Sequence, residues 1–100
     1  MQKTAEQIKN FLQYIALQLI KHPAEAQLRV AEVEPGHLRF RLILNKEDVA
    51  MMIGRNGFTA SAIRNILKAA AQRDNINATL QIVSHEEEQQ RLEEEQNAGD

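Results

Sequence analysis

The sequence predicts an α+β fold in which a three-stranded mixed sheet carries helices on one face. Three observations lead to this fold. Apolar residues at helical spacing mark a helix near the start of the chain, a strict apolar–polar alternation follows a turn pair, and two helical segments separate that strand from a last one. A connection of that length permits parallel pairing of the last two strands, and the predicted order is α-β-β-α-α-β.

Composition is that of one small folded unit, because 43% of the 100 residues are apolar. The chain has no cysteine, which excludes disulfide and thiolate chemistry. His22, His37 and His85 are far apart in the sequence, so we expect no metal or other cofactor. No leader opens the chain and no apolar run approaches the ~18 residues of a membrane span, so we expect a cytoplasmic protein without membrane contact.

Charge divides the chain into two parts. Residues 1–84 carry 11 Lys and Arg against 7 Asp and Glu, a net charge of +4, and we expect them to form the folded domain. Residues 85–100 carry 1 Arg against 7 acids, a net charge of −6, with Leu92 as their only large apolar residue. We expect this second part to be a disordered, solubilising tail.

The first helix is expected to start at Thr4, because Gln7 follows at the spacing of a capping box, and to end before Pro23. Tyr14 and Leu17 lie off its apolar face, either as isolated exposed residues or as a partner contact. Its apolar face comprises Ile8, Phe11, Leu12, Ile15 and Leu19.

Two antiparallel strands are expected next, joined by the turn pair Pro35-Gly36. The first strand contains Leu28 and Val30. In the second, the inward residues are Leu38, Phe40, Leu42 and Leu44, and the alternating residues are His37, Arg39, Arg41 and Ile43. The face that carries His37, Arg39 and Arg41, with Arg29, is expected to be open to solvent.

A second helix is expected after Asn45, which can cap it, and to end at Gly54. Asp48 in its first turn suits capping. Its inward residues are Val49, Met52 and Ile53. A third helix is expected from about Thr59 to Asp74, followed by a strand with Ala78, Leu80 and Ile82. The packing face of the third helix comprises Ile63, Ile66, Leu67, Ala70 and Ala71.

The loop Gly54-Arg55-Asn56-Gly57 is the candidate functional motif. Glycine lets another backbone approach closely, and the start of the following helix favours phosphate. Arg64 and Lys68, one turn apart, could extend the positive track, and Val49, Met52 and Ile53 could floor a groove for unstacked bases. Alone the motif is weak evidence, since a helix end followed by a tight turn gives the same pattern.

The stretch around this loop closely resembles the KhpA family, small bacterial proteins built from a KH domain. The resemblance covers roughly residues 8–83 and implies the type II KH topology. It lies in Asn45 to Val49, Met52 to Gly57, Ser61 to Arg64 and Lys68 to Ala71, and in the junction from Lys21 to Glu25.

The resemblance implies a non-catalytic protein that binds single-stranded RNA and acts as a post-transcriptional regulator or RNA chaperone. It also implies a homodimer, and pairing with a larger KhpB/EloR/Jag-like protein linked to cell division and cell shape. The expected RNA contacts are Val49, Ile53, Gly54, Arg55, Asn56, Gly57, Phe58, Arg64 and Lys68. The rival interpretation is a KH-fold dimerisation module that acts mainly through that partner.

Some features depart from the family or leave a choice. Phe58 stands where the family commonly has a basic residue, and it either stacks on a base or packs against the first helix or a dimer partner. Arg39 and Arg41 are either solvated or in contact with RNA. The tail either stays passive or competes with RNA phosphates for the groove. No lysine follows Gly57 as in a nucleotide-binding P-loop and no nucleophile–base set is present, so we expect no catalytic residues.

Overall fold

The computed structural model describes residues 2–98, and it confirms the α+β fold and the predicted order of elements, with one helix added at the end. Short 3-10 helices cover Pro23–Glu25 and Arg55–Gly57. The main elements are α1 (Gln2–Leu19), β1 (Gln27–Glu34), β2 (His37–Leu44), α2 (Lys46–Ile53), α3 (Phe58–Gln72), β3 (Asn77–Ser84) and α4 (His85–Ala98).

The sheet has the order β1-β2-β3, with β1 antiparallel and β3 parallel to β2, as predicted. Phe40 at the centre of β2 lies between Val30 and Leu80. The turn at Gly36 has a positive φ of 81° and also receives the end of the crossover, because the Asn77 N–H donates to the Gly36 carbonyl at 2.8 Å. The two helices of the crossover therefore return the chain to the end of the hairpin at which its turn lies, where Asn77 pairs with His37.

The core lies between the sheet and helices α1, α2 and α3. Its largest side chains with almost no exposure are Phe40, Leu12, Leu44, Met52 and Leu67. Two residues predicted to face inward are instead exposed: Ile53 is 38% exposed at the last position of α2, and Ile66 is 53% exposed. Ile66 lines an apolar groove between α1 and α3 together with Phe11.

The start of α1 differs from the prediction, because the helix already includes Gln2 and Thr4 is buried inside it. The hydroxyl of Thr4 donates to Asp74 Oδ2 at 2.6 Å, and Gln7 Oε1 accepts from Arg73 at 2.9 Å. Both residues of the expected capping box therefore bind the end of α3. They join α1 to the crossover instead of capping the N-terminus of α1.

Asp48 is the fully buried charged residue of α2. Its carboxylate accepts from the Lys21 N–H at 2.8 Å and from the His22 N–H at 2.9 Å, where the chain leaves α1. The N-cap of α2 is Asn45, as predicted, and its side chain accepts from the Glu47 N–H at 2.9 Å. Asp48 thus serves a neighbouring segment rather than its own helix, and it fixes α2 against the end of α1.

Residues 85–98 form α4, whereas the sequence led us to expect a disordered tail. The helix begins directly after β3 and contacts both β2 and β3. Ser84 and Glu87 form a reciprocal capping box, in which each residue's backbone N–H donates to the other's side chain at 3.1 Å. Its docking depends on charge rather than on an apolar stripe, which is why composition alone did not indicate it.

The sheet face assigned to solvent is covered where α4 crosses it. Arg41 is 7% exposed and Ile43 1% exposed, which corrects the expectation of an open polar face. The buried Glu88 Oε2 lies 3.5 Å from Arg29 Nη1 and 3.9 Å from Arg41 Nη1, and Arg91 donates to Glu88 Oε1 at 2.8 Å. One carboxylate therefore joins β1, β2 and α4.

We expect Asp48→Asn to lower the free energy of unfolding by about 2 kcal/mol. An amide keeps one acceptor but turns its N–H donors toward the second backbone N–H, so one buried hydrogen bond to a charged group is lost. Urea denaturation followed by circular dichroism measures the change. Asp74→Asn is the control, because that exposed carboxylate holds one side-chain hydroxyl, and its loss is expected to be smaller. Equal losses in the two variants would contradict the role given to Asp48.

The docking of α4 is expected to weaken in acid. The pKa of Glu88 lies below its ordinary value, chiefly because Arg91 donates a hydrogen bond to it, and Arg41 and Arg29 add to the effect. A lowered carboxyl pKa stabilises the fold fully above about pH 4.5, and this contribution is lost as the pH falls through the lowered value. The difference in unfolding free energy between the parent and Glu88→Gln should therefore shrink in that range. The exposed Glu94→Gln is the control, and a pH-independent difference for Glu88→Gln would overturn the expectation.

Candidate nucleic-acid interface

The loop from Gly54 to Gly57 joins α2 to α3 as a single tight turn. The Gly57 N–H donates to the Gly54 carbonyl at 3.1 Å, and Arg55 and Asn56 are exposed between them. The turn projects from the domain because the helices on either side are held by the core, through Met52 in α2 and Ala60 in α3. The two variable side chains of the motif therefore face solvent.

Gly54 is required by packing. Its φ of 76° and ψ of 177° form a combination that is open essentially to glycine alone. A Cβ at this position would lie 2.7 Å from Thr59 Cβ and would overlap the Thr59 hydroxyl. Gly54 thus allows the first turn of α3 to close against the end of α2.

Gly57 has a different role in the same motif. It is left-handed, with φ 76° and ψ 9°, and Asn56 before it is left-handed as well, with φ 56°. A Cβ built on Gly57 meets nothing within 4 Å, so the backbone here borders open space. This is the point where a second backbone can come close, and it lies at the N-cap of α3, where the helix dipole favours an anion.

Phe58, the first residue of α3, is 69% exposed. Of the alternatives drawn from the sequence, packing against α1 of the same chain is therefore excluded, and contact with a base or with a second protein is still open. An aromatic ring in this setting offers a flat apolar surface beside the loop.

A groove of about 470 Å³ runs between α2 and the start of α4, and we call it the α2 groove. Ile53, which precedes the loop, and Val49 belong to it, whereas Met52 is wholly buried in the core and does not, contrary to the prediction. The α2 groove is lined by Lys46, Val49, Ala50, Ile53, Ser84, Glu86 and Glu87.

Lys46, Ala50, Ser84, Glu86 and Glu87 are lining residues that the sequence analysis did not assign to the site. Glu86 and Glu87 were missed because the segment after Ser84 was taken to be disordered. The local signal was present in the sequence, since Ser84-x-x-Glu87 has the spacing of a capping box and marks a helix start. That helix start places the two carboxylates beside α2. The groove therefore has a mainly apolar side on α2, with the exposed Lys46 at the start of that helix, and an acidic side on α4.

Arg64 and Lys68, which were expected to extend the positive surface of the loop, lie at different distances from it. Arg64 is half-buried and donates from Nε to the Leu80 carbonyl at 3.2 Å, which places its guanidinium along the edge of β3. Lys68 lines a separate cavity with His37 and Asn77, and at ~1.5 Å per residue it lies roughly 16 Å along α3 from Gly57. Arg55 and Arg64 are thus the cations nearest the candidate site among the predicted residues.

His22, Glu47 and Asp48 lie together, with one possible ligand atom from each within 4.8 Å of the others. Both Asp48 oxygens are already acceptors for backbone N–H groups, and His22 pairs with Glu25 at 3.6 Å. The three side chains therefore serve the junction after α1.

None of the helices among residues 2–98 has the length and apolar character of a membrane span.

Comparison with known proteins agrees with this geometry. Residues 9–82 match the family model described as "KhpA/KhpB, KH domain". The chain is 36% identical over 77 residues to the RNA-binding protein KhpA of Chlamydia pneumoniae, which covers 76% of this chain and 96% of that protein. It is 34% identical over 77 residues to the KhpA of Halalkalibacterium halodurans, covering 76% of this chain and 99% of that protein. No solved structure gives a significant match.

An α+β order with a Gly-x-x-Gly loop between two helices defines the chain as a KH domain, in the type II arrangement predicted from the sequence. The family model spans most of the chain, from α1 to β3. The chain therefore belongs to the KhpA/KhpB KH-domain family. Helix α4 lies outside the matched residues.

Proposed function

We propose that this protein binds single-stranded RNA without catalysis, gripping the backbone at Gly54–Gly57 and laying bases along the α2 groove. Its relatives are named RNA-binding proteins, which supports the class of ligand. The observation that carries the proposal is Gly57, because its left-handed backbone borders open space at the start of α3.

The grip on phosphate combines a close backbone approach with positive potential. The Phe58 N–H donates to the Arg55 carbonyl, whereas the N–H groups that follow it in the first turn of α3 have no partner within the helix, and Gly57 at the N-cap supplies no side chain to occupy them. Arg55 is exposed in the loop and adds a mobile cation. Since these groups come from the loop and from one helix end, they define a track for a single strand rather than a surface for a duplex.

The bases would contact apolar side chains on either side of the loop. Val49 and Ile53 border the α2 groove, and Phe58 offers its exposed ring. Stacking on an aromatic side chain is worth about 1–3 kcal/mol per base. We infer that Phe58 offsets the loss of the basic residue that the KhpA family commonly has at this position.

We expect Gly57→Asn to weaken RNA binding at least about tenfold while the domain stays folded. Asparagine tolerates left-handed backbone, but its side chain would fill the space from which a phosphate approaches. Fluorescence anisotropy with a labelled octanucleotide at about 50 and 300 mM salt measures the change. Gly36→Asn is the matched control, because Gly36 has a similar positive φ and equally open space but lies in the β1–β2 turn.

The outcomes of this experiment separate the loop from the rest of the protein. Equal affinity of the parent and Gly57→Asn, both folded by circular dichroism, would remove the loop as the backbone grip. Arg55→Asp with Asn56→Asp should give a loss that shrinks as salt rises, because repulsion between the new carboxylates and phosphate is screened. A loss that persists unchanged at high salt would point to damaged structure instead.

A second candidate function is protein association through α3, as a homodimer or with a KhpB/EloR/Jag-like partner. The observation in its favour is the exposure of Ile66 and Phe58, two large apolar residues on one helix. Such an interface would adjoin the loop, so that RNA and partner could compete for it. A cytoplasmic role in post-transcriptional regulation or as an RNA chaperone fits either candidate.

For this second candidate we expect Ile66→Asp to shift the protein toward monomer, because a charge in an apolar interface has no partner. Light scattering at about 100 µM measures the mass. Val33→Asp is the control, since Val33 is also an exposed apolar residue but lies on β1, outside α3. A monomeric parent that also captures no KhpB-like protein would remove this candidate.

A further inference from the structure

Helix α4, which lies outside the residues that the family model matches, places two carboxylates at one side of the α2 groove. Its first turn contributes Glu86 and Glu87, and the apolar residues Val49 and Ile53 lie on the α2 side. The groove is open to solvent rather than filled by α4. A ligand that enters it therefore contacts aliphatic carbon and the cation Lys46 on the α2 side, and negative charge on the α4 side.

The acidic side is held in place by three anchors. The capping box between Ser84 and Glu87 fixes the start of α4 to the end of β3, and His85 Nε2 lies 2.6 Å from the Glu25 carbonyl. Glu88, one residue further, is buried beside Arg29 and Arg41. The first turn of α4 is thus a fixed wall of the groove and not a lid that must open.

The two carboxylates of this wall differ in availability. Glu87 is committed through Oε1 to the Ser84 N–H, whereas Glu86 is exposed and lines the groove. An ionised carboxylate only accepts hydrogen bonds. It repels phosphate and any base edge that presents a carbonyl oxygen, and it attracts a base edge that presents an amino group.

We propose that Glu86 selects bases with an exocyclic amino group, so that the α2 groove takes cytosine or adenine in preference to uracil. Cytosine offers its N4 amino group and adenine its N6 amino group, and acidic side chains pair with such donors. Uracil has a carbonyl at the position of the cytosine amino group. The wall also disfavours phosphates on the α4 side of the groove, whereas the cations Arg55 and Lys46 lie in the loop and on α2. This inference rests on the proposed RNA binding and adds a base preference to it.

The test compares two octanucleotides, all-cytidine and all-uridine RNA, which differ in base at the amino or carbonyl position and at the adjacent ring nitrogen. Their affinities are measured by fluorescence anisotropy for the parent, Glu86→Gln and Glu94→Gln. We expect the parent to bind the cytidine strand at least about fivefold more tightly, the lower end of what one base-edge contact contributes. In Glu86→Gln this ratio should fall toward one, because an amide can turn either its oxygen or its N–H₂ toward the base.

Glu94→Gln is the matched control, because it removes the same charge from an exposed position of α4. Both strands should then shift together, with the ratio unchanged. Loop-dependent binding with equal affinity for the two strands would overturn the selection by Glu86 and leave the proposed function standing. A Glu86→Gln variant that binds both strands more tightly by one factor would also overturn it, since the wall would then act only by repulsion. Failure of the parent to bind either strand would overturn the proposed function, and this inference with it.

Discussion

The buried carboxylate of Asp48 is the constraint on which the arrangement of this domain depends. A charge without exposure is tolerable only where hydrogen bonds replace water, and here the Lys21 and His22 N–H groups do so. These two hydrogen bonds join the segment after α1 to the first turn of α2. The other end of α2 is held by the close contact between Gly54 and Thr59. Both ends of this short helix are therefore fixed, and so is the direction in which the loop leaves it.

A second carboxylate, Glu88, organises the opposite side of the sheet. It lies beside Arg29 of β1 and Arg41 of β2 and accepts from Arg91 of α4, so that two strands and one helix meet at one charge. A sheet of three strands has little apolar area with which to hold a helix as polar as α4. The partly buried ion pairs of Glu88 with Arg29, Arg41 and Arg91 hold the helix on the sheet instead. The acidic end of the chain is consequently a part of the layered structure and a border of the candidate site.

Much of the fold could be predicted, because periodicity reports which side of an element is buried. Ile8, Leu12, Ile63 and Leu67 face the core as their spacing indicates. Periodicity does not report what lies on the other side of a sheet, and so the burial of Arg41 and Ile43 under α4 was not foreseen. Met52 and Ile53 show a related limit of the sequence pattern. Both are apolar and adjacent at the end of α2, but their side chains point in different directions, so Met52 is buried and Ile53 is exposed. For the candidate site, the loop was identified by its glycines, whereas the acidic wall depends on a helix whose composition resembles that of a disordered segment.

The direct junction between β3 and α4 has a consequence for how this protein can be observed. Ser84 ends the strand and His85 begins the helix, so no flexible linker separates them. The 14 residues of α4 form an arm roughly 21 Å long at ~1.5 Å per residue. A dye attached near the far end of that arm would be carried at a set distance from the sheet. Energy transfer between that dye and a label on one end of an RNA strand would therefore show whether the 5′ or the 3′ end lies nearer α4, and so in which direction the strand binds.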